Sequence, residues 1–268
     1  MASRREAITA VPDDPLLTAP EAVRVGWGGV LASLRRPYRV TLSMVVLVAL
    51  VPFYIFIPEL ISARAFHVPE LAWDRTLPLW PSWALVYGSV YLFLILLPVL
   101  VVRQEAAIRR AVRAYLMVWI TAYVCFLLYP TMAPRPPKVL GEGFGDWGLR
   151  LLYSADPPYN CFPSLHVAHS FVSALVSWRV HRGVGIAAAL GALLVGLSTL
   201  FTKQHYLLDV LTGMLLAFLA GGLFLRGDRG EEAPDLDRRL APFLALGIAG
   251  LLGLVVGGSW VAYRKSLG

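Results

Sequence analysis

Seven apolar runs dominate this chain: Tyr38–Ile57, Trp80–Val102, Ala114–Tyr129, Ser164–Val180, Val184–Phe201, Tyr206–Leu225 and Leu240–Tyr263. Each approaches the roughly 20 residues that a helix needs to cross the hydrocarbon core of a bilayer. Lipid offers no hydrogen bonds, so the backbone of such a run has to satisfy itself, which a helix does. The expected fold class is therefore all-α and integral to the membrane. Composition agrees, since 57% of the 268 residues are hydrophobic and 15% are charged, against about 25% charged in soluble domains. Mean hydropathy is +0.65. The longest polar stretch, residues 1–37, is too short for a soluble catalytic domain. Any chemistry has to be done by helix ends and loops at the bilayer.

The formal charge of +7 raises nucleic acid as a partner, but basic residues also accumulate on the cytoplasmic loops of membrane proteins. Arg4, Arg5, Arg24, Arg35 and Arg36 place the N-terminus inside. With that orientation sixteen of the 24 Lys and Arg residues fall on inner segments. The bias places Pro130–Pro163 and Thr202–His205 together on the outer face, and no nucleic-acid partner is expected. The organisation expected is a cytoplasmic segment 1–37, a six-span bundle 38–225, a mixed-charge connector 226–239 and a seventh span 240–263. Gly247, Gly250, Gly253, Gly257 and Gly258 in that last span suggest close packing within the bundle. Cys125 and Cys161 give no disulfide framework and no metal-ligand spacing.

Ionisable residues at the edge of apolar spans are costly and so mark function. Here they gather in three places on the expected outer side. Arg135 lies in Ala133-Pro134-Arg135-Pro136-Pro137-Lys138, where prolines end the helix and stiffen the loop; a snorkelling arginine at the headgroups is the plainer alternative. Pro163-Ser164 reads as a helix start with Ser164 as N-cap, followed at once by His166 and one turn later by His169. Free N–H groups, a hydroxyl and an imidazole at a helix N-terminus can bind an anion. His169 fits better as a structural bundle histidine. In the third place His205 and Asp209 are four apart, which puts a carboxylate one helical turn from an imidazole. Such a carboxylate holds the ring in one tautomer and supports a nucleophile or base. Two histidines, a carboxylate, a serine at a helix start and cations suit phosphoryl transfer, which needs charge stabilisation and in-line positioning. Glu142, Asp146 and Asp156 are scattered through one loop, so a histidine mechanism without metal or cofactor is expected.

These residues resemble the type 2 phosphatidic acid phosphatase superfamily, whose motifs are Lys-x6-Arg-Pro, Pro-Ser-Gly-His and Ser-Arg-x5-His-x3-Asp. Arg135-Pro136 matches the end of the first motif. Pro163-Ser164-Leu165-His166 matches the second with leucine in the glycine position, and Ser198, His205 and Asp209 match the third. The likeness covers Ala114 to about Gly222 and implies a six-helix bundle, to which the last apolar run adds a seventh helix. It also implies His205 as nucleophile, Asp209 as its orienting carboxylate and His166 as acid and base. Arg135, Ser164, Ser198 and either Lys203 or Lys138 would hold phosphate. Leu128 and Thr199 stand where the family has a lysine and an arginine. A site short of cations should favour a singly charged phosphodiester over a monoester. The wording around Phe162–Ala168 and Gln204–Asp209 is similar to the inositolphosphotransferase branch, which moves phospho-headgroups between lipids. Expected partners are the bilayer and a phospholipid or isoprenoid-phosphate substrate. A phosphatase for polyprenyl diphosphate or phosphatidate is the second reading, and an inactive lipid transporter or scaffold the third.

Overall fold

Apolar windows locate the helices, but the helices run beyond them wherever charged residues can reach water. The computed structural model describes Trp27, residues 47–226 and residues 233–267. The described helices are α1 (Val51–Ile61), α2 (Ala72–Thr76), α3 (Trp83–Val101), α4 (Glu105–Leu128), α5 (Phe144–Ala155), α6 (Leu165–Val180), α7 (Arg182–Phe201), α8 (Leu207–Phe224) and α9 (Asp235–Ser266). Residues 1–26, 28–46, 227–232 and 268 lie outside the described residues, and with them nearly all of the expected N-terminal segment, the first nine residues of the first span and part of the connector. The structure is all-helical among the described residues apart from two isolated β-bridges, His67 with Thr131 and Met132 with Tyr159. Five helices, α3, α4, α7, α8 and α9, are long and apolar enough to cross a membrane.

α4 begins nine residues before the expected Ala114, where Arg109 pairs with Glu105 at 2.6 Å on an exposed first turn. α9 likewise extends the expected 240–263 at both ends to 32 residues, about 48 Å at 1.5 Å per residue. Its buried stripe is Leu240, Leu244, Ile248 and Leu252, at the i, i+4 spacing that lines one face. The glycines do not share that stripe. At Gly250, Gly253, Gly257 and Gly258 an added Cβ would meet no described atom within 4 Å, so the expected close packing of small residues inside the bundle is corrected. Branched side chains make the contact and the glycines face away from it.

α6 is the axis of the bundle. It packs against α3, α4, α7 and α8, and twelve of its 16 residues are buried, which explains how it can carry serines. Ser173 Oγ donates to the Leu94 carbonyl at 2.6 Å and lies 2.7 Å from the Tyr115 hydroxyl, while Ser170 Oγ donates to the His166 carbonyl at 2.7 Å. Protein surrounds this helix where lipid surrounds the outer faces of α7 and α8, which expose Leu190, Leu193, Leu215 and Leu219. The expected tight turn is one residue. His181 closes α6 and also caps α7 by accepting from the Val184 N–H at 3.2 Å.

One end of the bundle gathers the long connections. Trp80 N–H donates to the Phe201 carbonyl at 2.9 Å and His67 N–H to the Pro130 carbonyl at 2.8 Å. The far end of α9 reaches the same place, where the Tyr263 hydroxyl donates to the Glu142 carbonyl at 2.9 Å.

Candidate active site

The turn from α7 to α8 delivers His205. Thr202 closes α7 by donating its N–H and hydroxyl to the Ser198 carbonyl, at 2.9 and 2.6 Å. Lys203 then takes a left-handed conformation, φ 55°, and the Thr199 carbonyl accepts the N–H groups of Gln204 and His205 at 2.9 and 3.3 Å. Thr199, standing where the resembled family has an arginine, is therefore buried as a turn-former. In the first turn of α8, fully buried Asp209 uses Oδ2 twice. It accepts the Tyr206 N–H at 2.9 Å, and it lies 3.4 Å from His205 Nδ1. A carboxylate there caps its own helix and faces the imidazole, at the helix end that favours negative charge.

The second motif is joined to the third through the backbone. Ser164 N–H donates to the Asp209 carbonyl at 2.9 Å, and Ser164 Oγ caps α6 by accepting from Val167 N–H at 3.4 Å, as expected of an N-cap. Gly213, one turn further along α8, backs directly onto the Ser164 carbonyl oxygen and leaves no room for a Cβ. This junction sets His166 against His205, with 5.8 Å between ring centroids. Three tyrosines enclose His166: Tyr91 at 4.8 Å, Tyr87 at 5.2 Å and Tyr54 at 6.0 Å between centroids.

Arg135 is held rather than snorkelling. Its side chain is 10% exposed, Nη1 donates to the Asp156 carbonyl at 2.8 Å, and Nη2 donates to Gln204 Oε1. The guanidinium lies 4.5 Å from the Tyr153 ring centroid and 3.9 Å from the Asp156 carboxylate. Asp156 in turn accepts from the Tyr54 hydroxyl at 2.8 Å. Arg135 is thus tied to Gln204, the residue preceding His205, and through Asp156 to Tyr54 beside His166.

Contacts therefore link His205, His166, Asp209, Arg135 and Ser164 into one cluster. The other expected phosphate ligands are engaged elsewhere. Lys203 Nζ donates to the carbonyls of Leu77 and Asp74 at 2.7 and 3.2 Å, because its left-handed backbone turns the side chain towards the connection after α2. Ser198 Oγ donates into its own helix, to the Val195 carbonyl at 2.7 Å. Lys138 is exposed, and no contact with a described residue joins it to the cluster.

Residues missed by sequence reasoning complete the site. Gln204, Asp156, Tyr54, Tyr87 and Tyr91 come from four separate stretches, and only their apolar or loop context marked them. Tyr153 donates to the Thr202 carbonyl at 2.7 Å, so α5 closes over the α7–α8 turn. Burial raises the Tyr153 phenol to about 12, partly offset by Arg135, and it stays protonated at neutral pH. Cys161 also joins, since a ligand atom each from Cys161, His205 and Asp209 lie within 4.8 Å of one another. Burial, with Asp209 and Asp156 adding, pushes the Cys161 thiol well above its ordinary range. A neutral thiol is neither the nucleophile nor a strong metal ligand.

A family model described as the PAP2 superfamily matches residues 78–223, which contain every candidate residue above except Tyr54. A PA-phosphatase related-family protein of Dictyostelium discoideum is 28% identical over a match covering 43% of this chain and 24% of that protein. The chain thus matches about a quarter of the length of this curated relative. No solved structure matches.

Proposed function

Because the chain belongs to the PAP2 superfamily, we propose that it is a membrane phosphatase or phosphotransferase whose reacting group is His205. His205 attacks phosphorus, forming a P–N bond as the P–O bond to the leaving group breaks. His166 gives its proton to the departing oxygen. A water or alcohol then attacks the phosphohistidine, His166 takes up its proton, and the P–N bond breaks. Asp209 orients the His205 ring and supports its positive charge. Arg135 and the free N–H groups at the start of α6 hold the phosphoryl oxygens. The site lies at the extracytoplasmic end, as the charge bias of the loops favours. The observation that carries this reading is the approach of His166 and His205 to 5.8 Å with Asp209 3.4 Å behind, close enough for one phosphoryl group to meet both rings.

The finer reading is transfer of a phospho-headgroup, of phosphoinositol type, from a phospholipid to a lipid alcohol. Its support is the scarcity of cations. Leu128 and Thr199 replace two of them, Lys203 is committed to carbonyls, and Arg135 shares its charge with Asp156. A doubly charged monoester loses more in such a site than a diester. The name of the relative favours the second reading, hydrolysis of phosphatidate. Turnover of phosphatidylinositol and of phosphatidate in the same detergent separates them: faster diester turnover supports transfer, and faster monoester turnover supports hydrolysis.

A further inference from the structure

A cavity of about 450 Å³ runs from the candidate site into the bundle between α1, α3, α4 and α6. His166 stands at its mouth, and Val51, Ile95, Val99 and Val112 are among its walls. Along α3 it spans Tyr91 to Val102, about 16 Å at the helical rise. The volume is that of a small-molecule site, and the lining is almost wholly apolar. Apart from His166 and Tyr91, each polar group of the lining has a protein partner. The Tyr54 hydroxyl donates to Asp156, and the Tyr115 hydroxyl pairs with Ser173. Trp119 Nε1–H donates to His169 Nδ1 at 3.3 Å.

That last bond decides what His169 offers. A neutral imidazole that accepts at Nδ1 carries its proton on Nε2. The ring is fixed between Tyr115, 4.6 Å away, and Tyr91, 5.9 Å away, and the residue is 7% exposed. Nε2 makes no bond to a described residue and borders the cavity. A donor that opens on an apolar cavity without a protein partner gains about 0.5–1.5 kcal/mol from a hydrogen bond to a ligand, so a ligand that brings an acceptor is favoured. His169 follows His166 by one turn of α6, about 4.5 Å deeper.

We propose that His169 is a specificity-determining residue that reads an acyl carbonyl. The phosphate sits between His166 and His205, one hydrocarbon chain fills the cavity, and the ester or amide carbonyl just below the phosphate accepts from His169 Nε2–H. Trp119 is the positioning residue that holds the tautomer. The substrate class is then acylated phospholipids, and isoprenoid phosphates, which have no carbonyl at that depth, are disfavoured. This inference rests on the function proposed above and names its lipid.

The test compares a diacyl phospholipid with its dialkyl ether analogue of equal chain length, both as substrates of the wild type and as ligands of His205→Ala in detergent. The ratio of kcat/KM values within one preparation does not depend on the folded fraction. Wild type should prefer the ester by about tenfold, the worth of one hydrogen bond. His169→Leu should bring the ratio close to one, and His169→Gln, which keeps a donor near Nε2, should retain most of it. A ratio near one in wild type, or an unchanged ratio in His169→Leu, overturns the inference and leaves the enzyme reading standing. Ester-selective binding to His205→Ala without any turnover by wild type upholds the inference and removes the enzyme reading. Equal binding of both lipids overturns the inference whatever the turnover.

Discussion

α6 and α9 are both read from sequence as apolar spans, yet they live in different solvents. α6 has 16 residues of which twelve are buried, and it carries His166, His169, Ser170, Ser173 and Ser177. α9 has 32 residues of which six are buried, and its glycines from Gly250 onward face no described neighbour. Polar side chains are tolerated in the membrane where protein supplies their partners, and α6 is where protein is densest. The helix that carries His166 and His169 is thus poorly suited to lipid, and its shortness and serines are part of its signature.

The comparison can be broken or sharpened by substitution. The largest effect belongs to the cluster at the head of α6. His205→Ala should lose activity by at least about a thousandfold while the protein keeps its elution volume and melting temperature; appreciable residual turnover would remove His205 as nucleophile. Arg135→Lys keeps the charge but not the fork that meets Gln204 and the Asp156 carbonyl, and a loss of about a hundredfold is expected. A kcat and KM equal to wild type would show that Arg135 only braces the loop. Smaller effects fall on stability. Gly213→Val drives a side chain into the Ser164 carbonyl and should cost about 1–3 kcal/mol in detergent unfolding, whereas Gly253→Val on α9 should change stability by less than about 0.5 kcal/mol. Equal costs at the two positions would contradict the contrast between the helices. The smallest effect is a pH dependence. Tyr153 is raised from its ordinary value of 10 to about 12, so its contribution to folding is complete below pH 10 and fades as pH rises towards 12. The gap in melting temperature between wild type and Tyr153→Phe should hold from pH 7 to 9 and narrow above 10. A gap that widens with pH would sink this account of the phenol.

Much of the bundle was legible because hydropathy and spacing are local properties. Motif spacing also made Ser164 legible as the cap of α6 and Asp209 as the neighbour of His205, since each relation lies within a turn or at a helix start. What was not legible depends on distant partners. Arg135 meets Gln204 across 69 positions and Tyr54 meets Asp156 across 102, and no periodicity encodes such contacts. Lys203 points away from the cluster for a backbone reason. Nothing in its neighbours announces the left-handed φ that points its ammonium at Asp74 and Leu77. The loop around Trp147 and Tyr153 carried no such signal, yet it folds as α5, whose Tyr153 reaches the site while Phe144 and Trp147 rest on Tyr263 of α9.

The central claim is a covalent phosphohistidine on His205, and trapping it is the most direct measurement. Purified protein is incubated with phosphatidylinositol labelled in its headgroup phosphate, with and without ceramide, and quenched in alkali, where phosphohistidine survives. The account predicts label on wild type, none on His205→Ala, and passage of the label to ceramide when it is present. Label on His205→Ala, or substrate turnover by wild type with no labelled protein at any time point, would contradict it.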